Sequence, residues 1–153
     1  MKRDGRLSGV LHLLLHMAQD GAPATSEALA RAMDTHPVVV RRLMAGLRKA
    51  GFVVSAKGHG GGWVLGCPLS AMTLGDVHAA LGAPAFLAAG LRDEQSTCLV
   101  EQAVNSALGS AYAEAEALLV ARLHGVKLSE LAEDFHHRMQ ARGLSPKDMN
   151  HDA

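Results

Sequence analysis

The sequence predicts a mainly α protein: a winged helix-turn-helix domain followed by a long C-terminal dimerisation helix. Three observations predict it. Amphipathic helical segments, separated by turn residues, fill positions 6–50. Two short β-branched runs, "FVVSAK" (52–57) and "WVLG" (63–66), flank a glycine-rich loop. An Ala-rich stretch at 98–125 then keeps helical spacing for more than twenty residues.

Each element has a local cause. Leu7, Val10, Leu11, Leu14, Leu15 and Ala18 recur at spacings of three and four, which predicts a first helix over 6–18 with one apolar face. "GAPATSE" breaks it, and Thr25 or Ser26 caps a second helix over about 26–33, with Glu27 in its first turn. That helix buries Leu29 and either Ala32 or Met33. Thr35 is the expected cap of a third helix, with Pro37 tolerated in its first turn. Val40, Leu43, Met44 and Leu47 form its inward stripe, and Gly51 stops it. The remaining positions, Val38, Arg41, Arg42, Ala45 and Lys49, then lie outward or on the flank.

Two apolar runs joined by a five-residue glycine loop read as a hairpin. "TLGDVHAAL" (73–81) follows as a helix, with Thr73 and Asp76 at capping-box spacing and Gly82 and Pro84 ending it. Residues 82–97 are an irregular connection. The long helix places Val100, Val104, Ala107, Ala111, Ala115 and Leu118 along its length and spans about 35 Å. A last helix, "KLSELAEDFHHRM" (127–139), turns Leu128, Leu131, Ala132, Phe135 and Met139 inward. The domain division is therefore 1–82 for the winged helix-turn-helix, 83–142 for linker, long helix and terminal helix, and 143–153 for a polar, disordered tail.

The glycine loop, "KGHGGGW" (57–63), decides between two kinds of protein. A dinucleotide fingerprint needs a helix after its glycines, to hold pyrophosphate at the helix N-terminus. A P-loop ends in Gly-Lys-Ser/Thr. Here Gly62 leads into Trp63-Val64-Leu65, a strand, so both phosphate readings fail on context. The glycines instead supply positive φ and close backbone approach at a hairpin tip that displays Lys57 and His59. Helix, helix, turn, helix, hairpin is the order of a winged helix-turn-helix, whose third helix enters the major groove of DNA.

Composition agrees. Of 153 residues, 48% are hydrophobic and 3% aromatic, so Ala, Leu, Val and Met build the core. No apolar run of membrane-spanning length occurs, and the N-terminus lacks a signal-peptide pattern, so the expected location is the cytoplasm. Net charge is zero, but residues 1–62 hold nine Lys/Arg against four Asp/Glu while residues 63–153 hold six against eleven. A basic N-terminal half attracts polyanions. The expected partner is double-stranded DNA. Its contacts would come from Thr35, His36, Val38, Arg41, Arg42, Ala45 and Lys49 at the third helix, and from Lys57, Gly58, His59, Gly60, Gly61 and Gly62 at the wing. A winged-helix protein–protein module is the alternative, but such modules lose the basic face that this chain keeps. No Ser-His-Asp ordering or paired-carboxylate constellation points to an enzyme.

The stretch 26–81 resembles the Rrf-two family of bacterial winged-helix transcriptional regulators, through "LRKAGFV", "KGHGGGWVL" and "MTLGDV" in that order. The long helix and "KLSELAEDF" extend the resemblance to about residues 5–139. It implies a homodimer through residues 99–123 on a palindromic operator, usually as a repressor. The small-residue seam Ala103, Ala107, Ala111 and Ala115 suits close approach of two long helices.

Well-known members of that family hold an iron–sulphur cluster with three cysteines before the long helix. This chain has Cys98 alone there, and Cys67 lies after the wing. Other members use a histidine and a carboxylate of the first helix with two cysteines. His12 matches in place, but Ser8 stands where the carboxylate is wanted. No cofactor or metal is therefore expected, and the effector is open. Cys98 is a candidate redox residue: a helix N-terminus favours its thiolate, whereas Asp93, Glu94 and Glu101 oppose it, which favours a buried or inert thiol. His12 and His16, four apart, read as surface or dimer contacts rather than a metal pair.

Overall fold

The computed structural model describes residues 5–87 and 95–144. Helices α1 (Arg6–Asp20), α2 (Ser26–Ala32) and α3 (Pro37–Lys49) precede strands β1 (Val53–Ala56) and β2 (Gly62–Leu65). A 3-10 turn at Leu69–Ala71 leads into α4 (Leu74–Ala80), and α5 (Leu99–His124) and α6 (Leu128–Ala141) complete the chain. The fold is the expected one, mainly helical with one small wing.

The core sits among α1, α2, α3, β1 and α4. The stripe expected on α3, Val40, Leu43, Met44 and Leu47, is buried there. Leu29 and Ala30 of α2, Val53 of β1, Met72 and Val77 close around it. Ala30, not Ala32, is the buried alanine of α2, and Met33 packs half-buried beside Leu29. Gly46 lets α3 and α4 approach closely, because a Cβ there would strike the Ala80 carbonyl.

Helix α1 departs from expectation in its orientation. Its buried residues are Val10, Leu13, Leu14 and Met17, whereas Leu7, Leu11 and Leu15 are half-buried and Ala18 is exposed. The helix is apolar on two adjacent faces. One packs into the core, and the other lines a groove shared with α6.

Capping gives a second correction. The residue that caps α3 is His36, not Thr35: His36 Nδ1 accepts from the Val38 N–H at 3.2 Å. Pro37 occupies the first helical turn, so the cap falls on its immediate neighbour. The other caps follow the sequence. Thr25 Oγ1 accepts from the Ala28 N–H, and Thr73 and Asp76 form a reciprocal capping box. Thr73 donates first among the causes that hold the Asp76 carboxyl below its ordinary value. Gly51 and Gly82, at φ 82° and 91°, end α3 and α4.

Helix α5 has 26 residues, about 39 Å at helical rise, and none of them is buried. Its C-terminal end is anchored. The His124 ring lies over Gly75, where any Cβ would collide, and Leu128 N–H bonds the Met72 carbonyl. A strap from Ala83 to Leu87 ties α4 to the middle of α5. His78, itself buried, donates from Nε2 to the Pro84 carbonyl and stacks on Phe86, while Glu116 accepts from the Phe86 and Leu87 N–H groups. Leu128 and Met139 bury α6, with Leu131, Ala132 and Phe135 half-buried as expected. Gly143 and Leu144 close that helix with backbone hydrogen bonds; the rest of the expected tail, and residues 88–94 of the connection, lie outside the described residues.

Candidate nucleic-acid interface

Burial of one face of α3 dictates what the other presents. Val38, Arg42, Ala45 and Lys49 are exposed along the outer side, with Arg48 beside them. Arg41 is also exposed but lies on the flank that faces the start of α2 and the wing. Its Nη2 donates to Glu27 Oε1 at 2.6 Å. His36 is exposed at the N-terminal end of α3; with Nδ1 engaged as the cap, its other nitrogen remains available. Thr35 is half-buried in the turn, its N–H bonded to the Ala30 carbonyl.

The wing is a short antiparallel hairpin in which Val53 pairs with Leu65 and Ala56 with Gly62. Its tip divides the labour among the glycines. Gly58 and Gly60 have φ of 98° and 76°, accessible at little cost only to glycine. Gly61 and Gly62 are needed for space: a Cβ would meet the Ala56 carbonyl at one and the Ala24 backbone at the other. Lys57 and His59 project from the exposed tip. These are the two roles, positive φ and close approach, that the sequence assigned to the loop.

The root of the wing is stitched to α2. Ala24 and Trp63 exchange two backbone hydrogen bonds, at 3.0 and 2.8 Å, and the Trp63 indole N–H donates to the Ser26 hydroxyl at 3.0 Å. Helix α2 is thus tied to α3 and to the wing in one surface. Sequence reasoning missed Ser26, Trp63 and Glu27 as members of it. The partners lie 37 and 14 positions apart, and no local spacing rule joins them.

The residues considered for sensing are not brought together. Cys98 is the N-cap of α5 and is exposed, so of the expected buried or inert thiol the buried alternative does not hold; its N–H bonds Ser96 Oγ, which in turn donates to Glu101. Cys67 follows the wing and packs half-buried against the core, where burial pushes its thiol pKa up. Among the described residues no three His, Cys, Asp or Glu side chains are placed to share a metal ion. With one exposed thiol on α5 and the other beside the core, the donor set does not fit an iron–sulphur cluster. His12 and His16 stack at 4.6 Å along the α1/α6 groove. Burial first, and then the neighbouring His16, holds the His12 pKa below its ordinary value.

A buried three-helix core, an exposed basic third helix and a glycine wing fixed beside it define a winged helix-turn-helix protein of the DNA-binding class. Comparison with known proteins narrows the class. The sequence model of Rrf2, described as iron-dependent transcriptional regulator, matches residues 4–134, and the chain belongs to that family. It is a DNA-binding transcriptional regulator.

Solved structures share the fold. A Lactobacillus plantarum protein assigned as a transcriptional regulator is 22% identical over 88% of this chain and 92% of its own, with a TM-score of 0.70. CymR, the global cysteine regulator of B. subtilis, is 24% identical over 87% and 95%, at 0.59. IscR of T. potens is 21% identical over 88% and 86%, also at 0.59. Comparison with curated proteins finds no match. Among the described residues no helix is long and apolar enough to cross a membrane.

Proposed function

We propose that this regulator acts in the cytoplasm as a homodimeric repressor, each protomer laying α3 in a major groove of a palindromic operator and its wing on the adjacent backbone. Arg42, Ala45, Lys49 and Val38 would face base edges and phosphates; Thr35 and His36 would meet the strand at the N-terminal end of α3. Lys57, His59 and the glycines 58 and 60–62 would follow the backbone from the wing. Phosphate contacts supply affinity and its salt dependence, and base contacts supply selectivity.

The observation that carries the dimer is the surface of α5. A 26-residue helix with no buried residue leaves Leu99 and Leu118 exposed at 78% and 74%, and Val100, Val104 and Leu108 exposed between them. Ala103, Ala107, Ala111 and Ala115 are exposed beside these residues. A continuous apolar face of this length marks an interface. The groove between α1 and α6, about 570 Å³ and lined by Leu7, Leu11, Leu15, Leu131 and Phe135, offers further apolar area on the same chain. Repression follows from the family resemblance and from simple occlusion of a promoter by a bound dimer.

Selection of DNA from a random library by the purified protein tests this reading. The expected product is a palindrome whose half-sites lie about one helical turn apart, ~34–36 Å centre to centre. Recovery of no consensus, or of a single unpaired half-site, would count against it. The exposure of Cys98 at the start of α5 favours one refinement, a thiol-based signal to the dimer helix. Alkylation of Cys98 should then alter operator affinity, and unchanged affinity would leave the effector elsewhere.

A further inference from the structure

Among the described residues, Arg41 is the one cation of α3 with an ion-pair partner; Arg42, Arg48 and Lys49 have none. The partner, Glu27, is a carboxylate on a surface that meets a polyanion. Both side chains are more than half exposed, 57% for Arg41 and 55% for Glu27, and an ion pair so solvated adds little to stability. Near phosphates Glu27 opposes binding. Neither stability nor affinity explains its pairing with Arg41.

Geometry does. Glu27 stands in the first turn of α2, where a negative charge suits the helix dipole. Its immediate neighbours are fixed: Thr25 caps the helix, and the buried Ser26 is bonded to Trp63 at the wing root. Glu27 is therefore held in register with both recognition helix and wing. Its Oε1 takes one hydrogen of Arg41 Nη2. A guanidinium carries five N–H donors in a planar fork, so a second edge remains for a bidentate contact with guanine O6 and N7. The pair opens on a shallow depression of about 350 Å³ between α3 and the wing, lined also by Ser55, Gly61, Gly62 and Trp63.

We infer that Glu27 is a positioning residue for DNA specificity: it aims Arg41 at a base edge and keeps it off the phosphates. An untethered arginine reaches phosphates on any sequence. A tethered one, beside a carboxylate that repels phosphate, is rewarded only where the right base presents its acceptors. Discrimination is gained at the expense of general affinity. The inference rests on the regulator reading above.

The test is fluorescence anisotropy with the full chain on the selected operator and on a scrambled duplex, across a salt series. Wild type, Glu27→Gln, Arg41→Ala and the double variant are compared, with thermal unfolding as the fold control. Glu27→Gln should tighten binding to scrambled DNA and steepen its salt slope by about two per dimer, one new phosphate contact per protomer. The ratio of operator to scrambled affinity should fall about tenfold, the scale of one bidentate base contact. In the Arg41→Ala background the same substitution should leave that ratio where Arg41→Ala put it. A ratio and slope unchanged by Glu27→Gln would overturn the inference, as would equal tightening on both DNAs or a full effect without Arg41. A wild-type protein that does not prefer the operator would overturn the regulator reading, and this inference with it.

Discussion

Helices α3 and α5 are built to opposite plans. Helix α3 has 13 residues and buries four, all on one stripe, and its other side carries Arg41, Arg42, Arg48 and Lys49. Helix α5 has 26 residues and buries none, and its free side carries leucine, valine and alanine. The first is a complete structural element with polarity to spare, which suits an ionic ligand. The second is an incomplete one with apolar surface to spare, which suits another apolar surface. A single chain thus displays a basic face on α3 and an apolar face on α5, and the strap at 83–87 and the His124–Gly75 contact tie α5 to α4 between them.

The sharpest way to separate the two plans is to charge the free face of α5. Val104→Glu with Leu108→Glu places carboxylates on residues that are 50% and 43% exposed, so the protomer should stay folded. The dimer should dissociate, and operator affinity should drop by 10² or more as the two-site advantage disappears. Sedimentation velocity and anisotropy read the two effects. In α3 the corresponding large effect is on folding. Met44 is fully buried, and Met44→Ala should cost about 2–5 kcal/mol in urea unfolding.

A change on the outer face of α3 should behave in the reverse manner. Arg42→Ala should weaken operator binding by about tenfold at unchanged thermal stability; unaltered affinity would show that the outward register of α3 is wrong. The smallest effect lies at the junction between the two regions. Thr73→Ala removes the α4 cap and should cost about 1 kcal/mol. It also removes the leading cause of the lowered Asp76 pKa. A depressed carboxylate contributes stability above its unfolded value and loses it as pH falls through the folded one. The wild type should therefore lose stability below the ordinary carboxylate range, and Thr73→Ala should flatten that acid limb in a pH series of melts.

Legibility in the sequence followed the range of the interactions. The wing was readable because φ and close approach are local matters: Gly58 and Gly60 turn, and Gly61 and Gly62 make room. The stripe of α3 was readable because its neighbours cover one side only. In α1 the same periodicity misplaced the core, since Leu7, Leu11 and Leu15 form a second apolar face and spacing does not say which neighbour each face meets. The cap of α3 was assigned by residue preference to Thr35, and the position of Pro37 gave it to His36. The Glu27–Arg41 and Ser26–Trp63 contacts were invisible, because only the folded chain brings them together. Cys98 was balanced on local charge alone, which says nothing of its exposure.

One measurement bears on the whole reading. The purified protein is titrated into three labelled duplexes, a full palindromic operator, the same duplex with one half-site scrambled, and a fully scrambled control, each across a salt series. The expected result is tight binding to the full palindrome, binding weaker by 10² or more to the single half-site, and a steep loss of affinity with salt. Equal affinity for all three duplexes, or no gain from the second half-site, would contradict a dimer that reads DNA through paired α3 helices.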